Sequence, residues 1–217
     1  MSGAARPDEP GGILAIWTDI APERDADFNE WYWRDHFPER LGVPGFRRAR
    51  RYRVITGAPR YFAWYELDGV ETLTSAAYLA RLDHPSAWTE RVMPGFRNTT
   101  RAIFRPVTRL GQASGGAILT LRLPAAAARA LPAELLPQLA VERGIMRVQL
   151  WQGAEIATPA SREAALRGAA DRAAEWAITI EAQTAEDLET ATRHLPSLTI
   201  GATKASYQFL CGMDAPV

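Results

Sequence analysis

Apolar and polar positions alternate between two periods along this chain. From Gly12 to Ile20 the residues are almost continuously apolar and β-rich, stopping before Pro22, which predicts a strand. Residues 22–41 then carry Phe28, Trp31, Tyr32 and Leu41 at helical spacing, with Glu23 and Asp25 in the first turn, where carboxylates suit the positive end of a helix dipole. Pro38 lacks an amide hydrogen and disfavours helical geometry at Phe37, so a regular helix should break or restart near His36. Residues 46–55 and 60–67 are β-rich and flank the turn Thr56-Gly57-Ala58-Pro59, predicting a hairpin. A helix over 70–82 ended by His84-Pro85, a short turn around Trp88 and Met93, and a strand over 99–107 complete the order β-α-β-β-α-β. That order is the ferredoxin-like split βαβ: four antiparallel strands with both helices on one face.

After the polar spacer Gly111–Gly116 the order starts again, with strands over 117–123, 143–151, 176–182 and 203–210 and helices over 124–141 and 185–193. Pro132 and Pro137 must punctuate the first of these helices. The connection over 152–174 is much longer than its counterpart at 56–59, and its 161–174 stretch reads as helix, placed to cover an edge or a cavity mouth. The expected organisation is a disordered leader at 1–11, a ferredoxin-like unit at 12–110 and a second at 116–213.

Helices on one face of a sheet leave the other face open unless a partner covers it. In 46–55 neither alternate set is cleanly polar, and Trp64 and Tyr65 point to opposite sides of their strand, so both faces read as occupied. The α+β expectation is therefore two tandem units packed sheet to sheet, with Asp19, Glu66 and alternate arginines among Arg51, Arg53, Arg101 and Arg105 paired inside a barrel-like core.

Composition narrows the partners. Lys plus Arg and Asp plus Glu are both 25, leaving no basic excess for nucleic acid. The single cysteine, Cys211, can form neither an internal disulfide nor a cysteine zinc site, which suits a reducing, cytoplasmic setting. The first twelve residues hold no apolar run of signal-peptide or membrane-span length, and nothing points to a membrane partner. Nucleotide-binding and nucleophile-elbow patterns are absent, and the three histidines, His36, His84 and His194, lie at spacings unsuited to a metal site.

Candidate chemistry concentrates in 29–46. Tyr32 and Arg40 fall one turn either side of His36, so one ridge presents a phenol, an imidazole and a guanidinium. His36 can move a proton near neutrality, Tyr32 can bond a developing oxyanion, and Arg40 can hold a carboxylate or enolate oxygen. Trp31, Trp64, Trp17 and Trp88 are candidates to line a pocket for a flat ligand. Each has a structural alternative: His36 bonding the Pro38 break, Arg40 pairing with Glu39, Asp35 or Glu66, and the tryptophans packing as core.

Trp31-Tyr32, His36-Phe-Pro-Glu-Arg40, Val43-Pro-Gly-Phe46, Arg51-Tyr52-Arg53 and Ala63-Trp-Tyr-Glu66 together resemble the dimeric α+β barrel superfamily, and within it the EthD-like branch. The resemblance covers the first half to about Thr108; the second half shares only element order. It implies a pocket between each sheet and its helices, in a superfamily that includes cofactor-free monooxygenases, muconolactone-type isomerases, polyketide cyclases and haem enzymes. The expectation is a cofactor-independent enzyme moving a proton on a small aromatic or oxo compound, with a non-catalytic small-molecule binder as the alternative and a haem enzyme, His36 as ligand, as the third. A homodimer is compatible with either of the first two.

Overall fold

The computed structural model describes residues 9–156, 159–168, 173–193, 195 and 201–216. His194, the first eight residues of the expected leader, and positions 169–172 of the expected 161–174 helix lie outside them.

Eight antiparallel strands close into one barrel in the order β1-β3-β2-β8-β5-β7-β6-β4. They are β1 (Gly12–Ile20), β2 (Phe46–Thr56), β3 (Tyr61–Leu67), β4 (Phe96–Leu110), β5 (Ala117–Leu123), β6 (Ile145–Gly153), β7 (Trp176–Ala182) and β8 (Thr203–Asp214). Each half keeps the ferredoxin-like strand order, and the two sheets join where β2 pairs with β8 and β4 with β6. The closing strands are longer than their apolar pattern suggests because each serves two partners. Phe96–Phe104 of β4 pairs with β1, while Phe104–Leu110 pairs with β6. Closure also removes the free edges on which another chain could add a strand.

Alternation along each strand sorts side chains into two layers. In β3, Phe62 and Trp64 enter the barrel, whereas Tyr61, Ala63, Tyr65 and Leu67 face the helices of the first half. Those helices are α1 (Asp25–Trp31), α2 (Phe37–Leu41), α3 (Ala76–Asp83) and α4 (Ala87–Val92). Over the second sheet lie α5 (Ala125–Arg129), α6 (Leu135–Ala140) and α8 (Ala185–Thr192). Leu136, Leu139 and Leu188 there pack on Leu119, Leu121, Ile178 and Ile180. The expected helix over 124–141 is thus two, with Pro132 between them and Pro137 in the first turn of α6, where a missing amide is tolerated.

The barrel interior corrects the expected charge pairing. Arg147 and Glu181, both fully buried, pair at 2.7 Å, and Arg147 also approaches Glu66 at 3.9 Å. Asp19 instead accepts from the Arg60 amide at 2.7 Å and the Asn98 amide at 2.9 Å. Arg51 and Arg101 belong to the opposite, helix-facing side, because Ala102 and Phe104 take the interior positions of β4 and Tyr52 that of β2.

Residues 159–168 of the long connection after β6 lie over the first half. Its helix α7 (Arg162–Arg167) starts at Ser161, whose hydroxyl accepts from the Ala164 amide at 3.2 Å, and ends at Gly168 in the left-handed region at φ +68°. Among the described residues no helix is long and apolar enough to cross a membrane.

Candidate functional site

Pro38 shapes the centre of the site. Its ring crowds the carbonyl four residues back and it offers no amide hydrogen, so α1 does not continue regularly into α2. The chain widens over Tyr32–His36 into a π turn, with the Phe37 amide bonded to the Tyr32 carbonyl. The break expected near His36 is therefore present as one wide turn.

This turn places His36 in an aromatic nest. Its imidazole stacks on Trp31 with centroids 4.3 Å apart and meets the edges of Tyr32 at 5.3 Å and Tyr65 at 6.3 Å. Trp31 is pinned from behind by Nε1 donating to Thr89 Oγ1 at 3.0 Å, and Asp35 accepts from both Thr89 and Ser86. Burial, reinforced by the charges of Arg40, Arg167 and Arg51, holds His36 well below its ordinary pKa, so the ring is neutral at pH 7. Its Nδ1 is buried and has no hydrogen-bond partner.

His36, Tyr32 and Arg40 share the wall of a cavity of about 210 Å³ between the helices and the outer face of the first sheet. Leu14, Ile16, Thr99 and Arg101 form the sheet side, Tyr65 and Tyr78 add phenols, and Ser161, Glu163 and Ala164 from α7 supply a wall carried by the other half of the chain. The long connection thus covers a cavity. Burial, partly offset by the Arg51 charge, pushes the Tyr32 phenol up to about 12, and burial drives Tyr65 well above 10, so both remain donors at neutral pH. The Tyr65 hydroxyl is buried and interacts with the Tyr32 phenol.

Arg40 is buried and already engaged. It bonds Glu163 of α7 and lies 3.7 Å from Glu39, with its guanidinium 5.6 Å from the Tyr78 ring. Burial opposes its charge, but Glu163, Tyr78 and Glu39 outweigh that and raise its pKa. Of the three expected carboxylate partners only Glu39 is near; the main one, Glu163, lies 123 positions away and had no local signal in the sequence.

The tryptophans are distributed otherwise than expected. Trp31 backs His36 rather than lining the cavity. Trp17 and Trp64 lie inside the barrel, Trp17 bonding Thr120 at 3.1 Å and Trp64 lying 5.4 Å from Trp151, because strand alternation turns both away from the helices. Trp88, on α4, is half-buried at the edge of the helix-side core and donates to Asp27 at 2.8 Å. Tyr32, Tyr65, Tyr78 and Phe96, not these, are the aromatic lining; Tyr65 was legible only as the alternate neighbour of Trp64. Among the described residues no group of three or more His, Cys, Asp or Glu side chains is placed to hold a metal ion.

No family model matches this chain, and no curated protein matches it. Solved structures do. An anthrone oxidase-like protein aligns over 97% of this chain and 95% of its own, with a TM-score of 0.67 at 11% identity. A candidate monooxygenase from Fusobacterium nucleatum covers 94% of this chain and 95% of its own, with a TM-score of 0.58 at 11% identity. A chlorite dismutase variant from Candidatus Nitrospira defluvii covers 92% of each chain, with a TM-score of 0.50 at 8% identity. Likeness at these identities establishes shared fold alone.

Proposed function

We propose that this chain, which has the dimeric α+β barrel fold, is a cofactor-independent enzyme using His36 as general base on a small aromatic oxo compound. One observation carries the reading: a neutral imidazole whose buried Nδ1 has no hydrogen-bond partner borders the same cavity as the protonated phenols of Tyr32 and Tyr65. Orphaned buried polar groups call for an occupant that completes them. The EthD-like assignment rests on the His36-Phe-Pro-Glu-Arg40 motif and its neighbours.

In this reading His36 accepts a proton from a carbon flanked by a ring and a carbonyl. The resulting enolate oxygen receives a hydrogen bond from Tyr65 or Tyr32, both protonated at neutral pH. A base weakened by burial suits an acidic carbon acid, and water is kept from the anion by the α7 wall. Dioxygen is the first co-substrate to test, given the names of the structural neighbours. A methylene and O₂ would give a carbonyl and water, one oxygen atom remaining on carbon.

Volume sets the size class. A cavity of about 150 Å³ holds benzene, so one of about 210 Å³ suits a one- or fused two-ring compound. A haem macrocycle is larger than that space.

The competing reading, a binder without turnover, draws on the same unpartnered Nδ1, because a catalytic imidazole is usually oriented through its second nitrogen. Solvent deuterium uptake at the α-carbon of 2-indanone and 2-tetralone, followed by NMR with oxygen consumption alongside, separates the two. Exchange lost in His36→Ala supports the base role; binding without exchange in the wild type supports the binder.

A further inference from the structure

We propose that the cavity receives an anionic ligand, a one- or two-ring aromatic carboxylate whose carboxylate is bound by Arg101. This rests on reading the cavity as the ligand site and adds the ligand's charge and the residue that meets it.

The helix-facing surface of the first sheet, part of which floors the cavity, carries unbalanced positive charge. Arg101 pairs across the sheet with Ile16, Ile16 with Ala63, and Ala63 with Arg51, so one row of the helix-facing surface has an arginine at each end. Among the described residues neither arginine has a carboxylate within ion-pair distance. Arg101 donates to the Tyr78 hydroxyl at 3.1 Å. Arg51, almost wholly buried, donates to Asn29 Oδ1 at 2.7 Å and lies over the rings of Tyr61, Tyr32 and Phe28 at 4.3, 4.4 and 4.8 Å, leaving Nε and Nη2 without partners. A buried cation balanced only by rings and one amide leaves an excess of positive potential around it. The one carboxylate on the cavity wall, Glu163, is already taken by Arg40.

An anion entering from the β4 side therefore meets Arg101 first. Arg40 is the poorer receptor because Glu163 and Glu39 occupy its surroundings, and Arg167, the third arginine of the wall, has interactions of its own. The guanidinium fork matches a carboxylate, and Tyr78 steadies it from the side. Strand β3, which carries Tyr65, lies two strand spacings from β4, about 10 Å, comparable to the length of a fused two-ring acid. With its carboxylate on Arg101 such a ring system crosses Ile16 toward Tyr65 and His36. The ligand's charge would also offset the arginines that hold the imidazole neutral, making His36 a stronger base when the site is filled.

The test compares 2-naphthoate with its uncharged isostere 2-naphthamide, using equilibrium titration of the full chain followed by tryptophan fluorescence. The wild type should bind the naphthoate about tenfold or more tightly over the amide, a preference that shrinks with added salt. Arg101→Gln should remove the preference while leaving naphthamide affinity within about twofold, and Arg101→Lys should restore part of it. Equal binding of the two probes by the wild type, no binding of either, or a preference that survives Arg101→Gln would overturn the assignment. A preference that arises only in Glu163→Gln would move the anion to Arg40 and equally overturn it. Because the readout is binding, naphthoate selectivity without deuterium exchange refutes only the catalytic reading, and exchange without selectivity refutes only this one.

Discussion

The imidazole of His36 lies face to face with the indole of Trp31, centroids 4.3 Å apart and planes 28° from parallel. Stacking closes one side of the ring, and the Thr89–Asp35 bonds behind Trp31 keep that side closed. The neutral state of His36 is thus built into the packing, with measurable consequences.

Stability should fall as pH drops below about 6.5, because there the unfolded chain protonates His36 and the folded chain does not. The unfolded state binds more protons in that window, so this contribution is fully present above the unfolded pKa and is lost on acidification until the folded ring itself titrates. The slope from this residue reaches at most about 1.4 kcal/mol per pH unit. Urea melts at about pH 5 and pH 7.5 should show it, and His36→Gln should lack that part. The same pH dependence in both proteins would contradict a buried neutral imidazole.

Tyr65→Phe should separate stability from function. It deletes a buried hydroxyl that interacts with the Tyr32 phenol, so the fold should change by no more than about 1 kcal/mol. Deuterium exchange on an indanone-type ketone should nonetheless slow by about 10- to 100-fold, since the enolate loses a donor. A variant that is less stable and equally active would show the hydroxyl to be structural.

Arg40 and Glu163 should behave as a coupled pair. Either residue replaced alone leaves its partner buried and uncompensated, costing about 3 to 5 kcal/mol, less where Glu39 can still help Arg40. The double variant Arg40→Met/Glu163→Leu should recover much of the loss. A denaturant-based double-mutant cycle measures this. Glu163 is the sole buried residue of α7, so hydrogen exchange over 162–167 should rise in Glu163→Gln more than elsewhere.

Thr120→Val tests whether the barrel interior takes part in ligand binding. The substitution keeps shape but strands the Trp17 indole N–H, costing about 1 to 3 kcal/mol. Naphthoate affinity should stay unchanged. A shift of more than about threefold at equal folded fraction would bring Trp17 back as a ligand contact.

How much of this was readable beforehand follows from the range of each interaction. Strand alternation and the 22–41 helix are local patterns, and they located β1 to β3 within a residue or so. The Pro38 break was local too, and it brought His36, Tyr32 and Arg40 to one wall. Pairing across the fold was hidden. Glu163 meets Arg40 over 123 positions, and Arg147 meets Glu181 across neighbouring strands, with no sequence period linking either pair. The tryptophans misled because aromatic character marks burial but not which face of a strand is buried; Trp17 and Trp64 alternate inward, Tyr65 outward.

Residues 159–167, between β6 and β7, roof a chamber whose floor belongs to the opposite half. Were the two halves identical copies on separate chains, every alteration to that roof would be made twice, once over each chamber. Here one chain carries both halves, and they differ. Roof and floor can be shaped as independent traits, and the half that donates the roof is free to give up chemistry of its own.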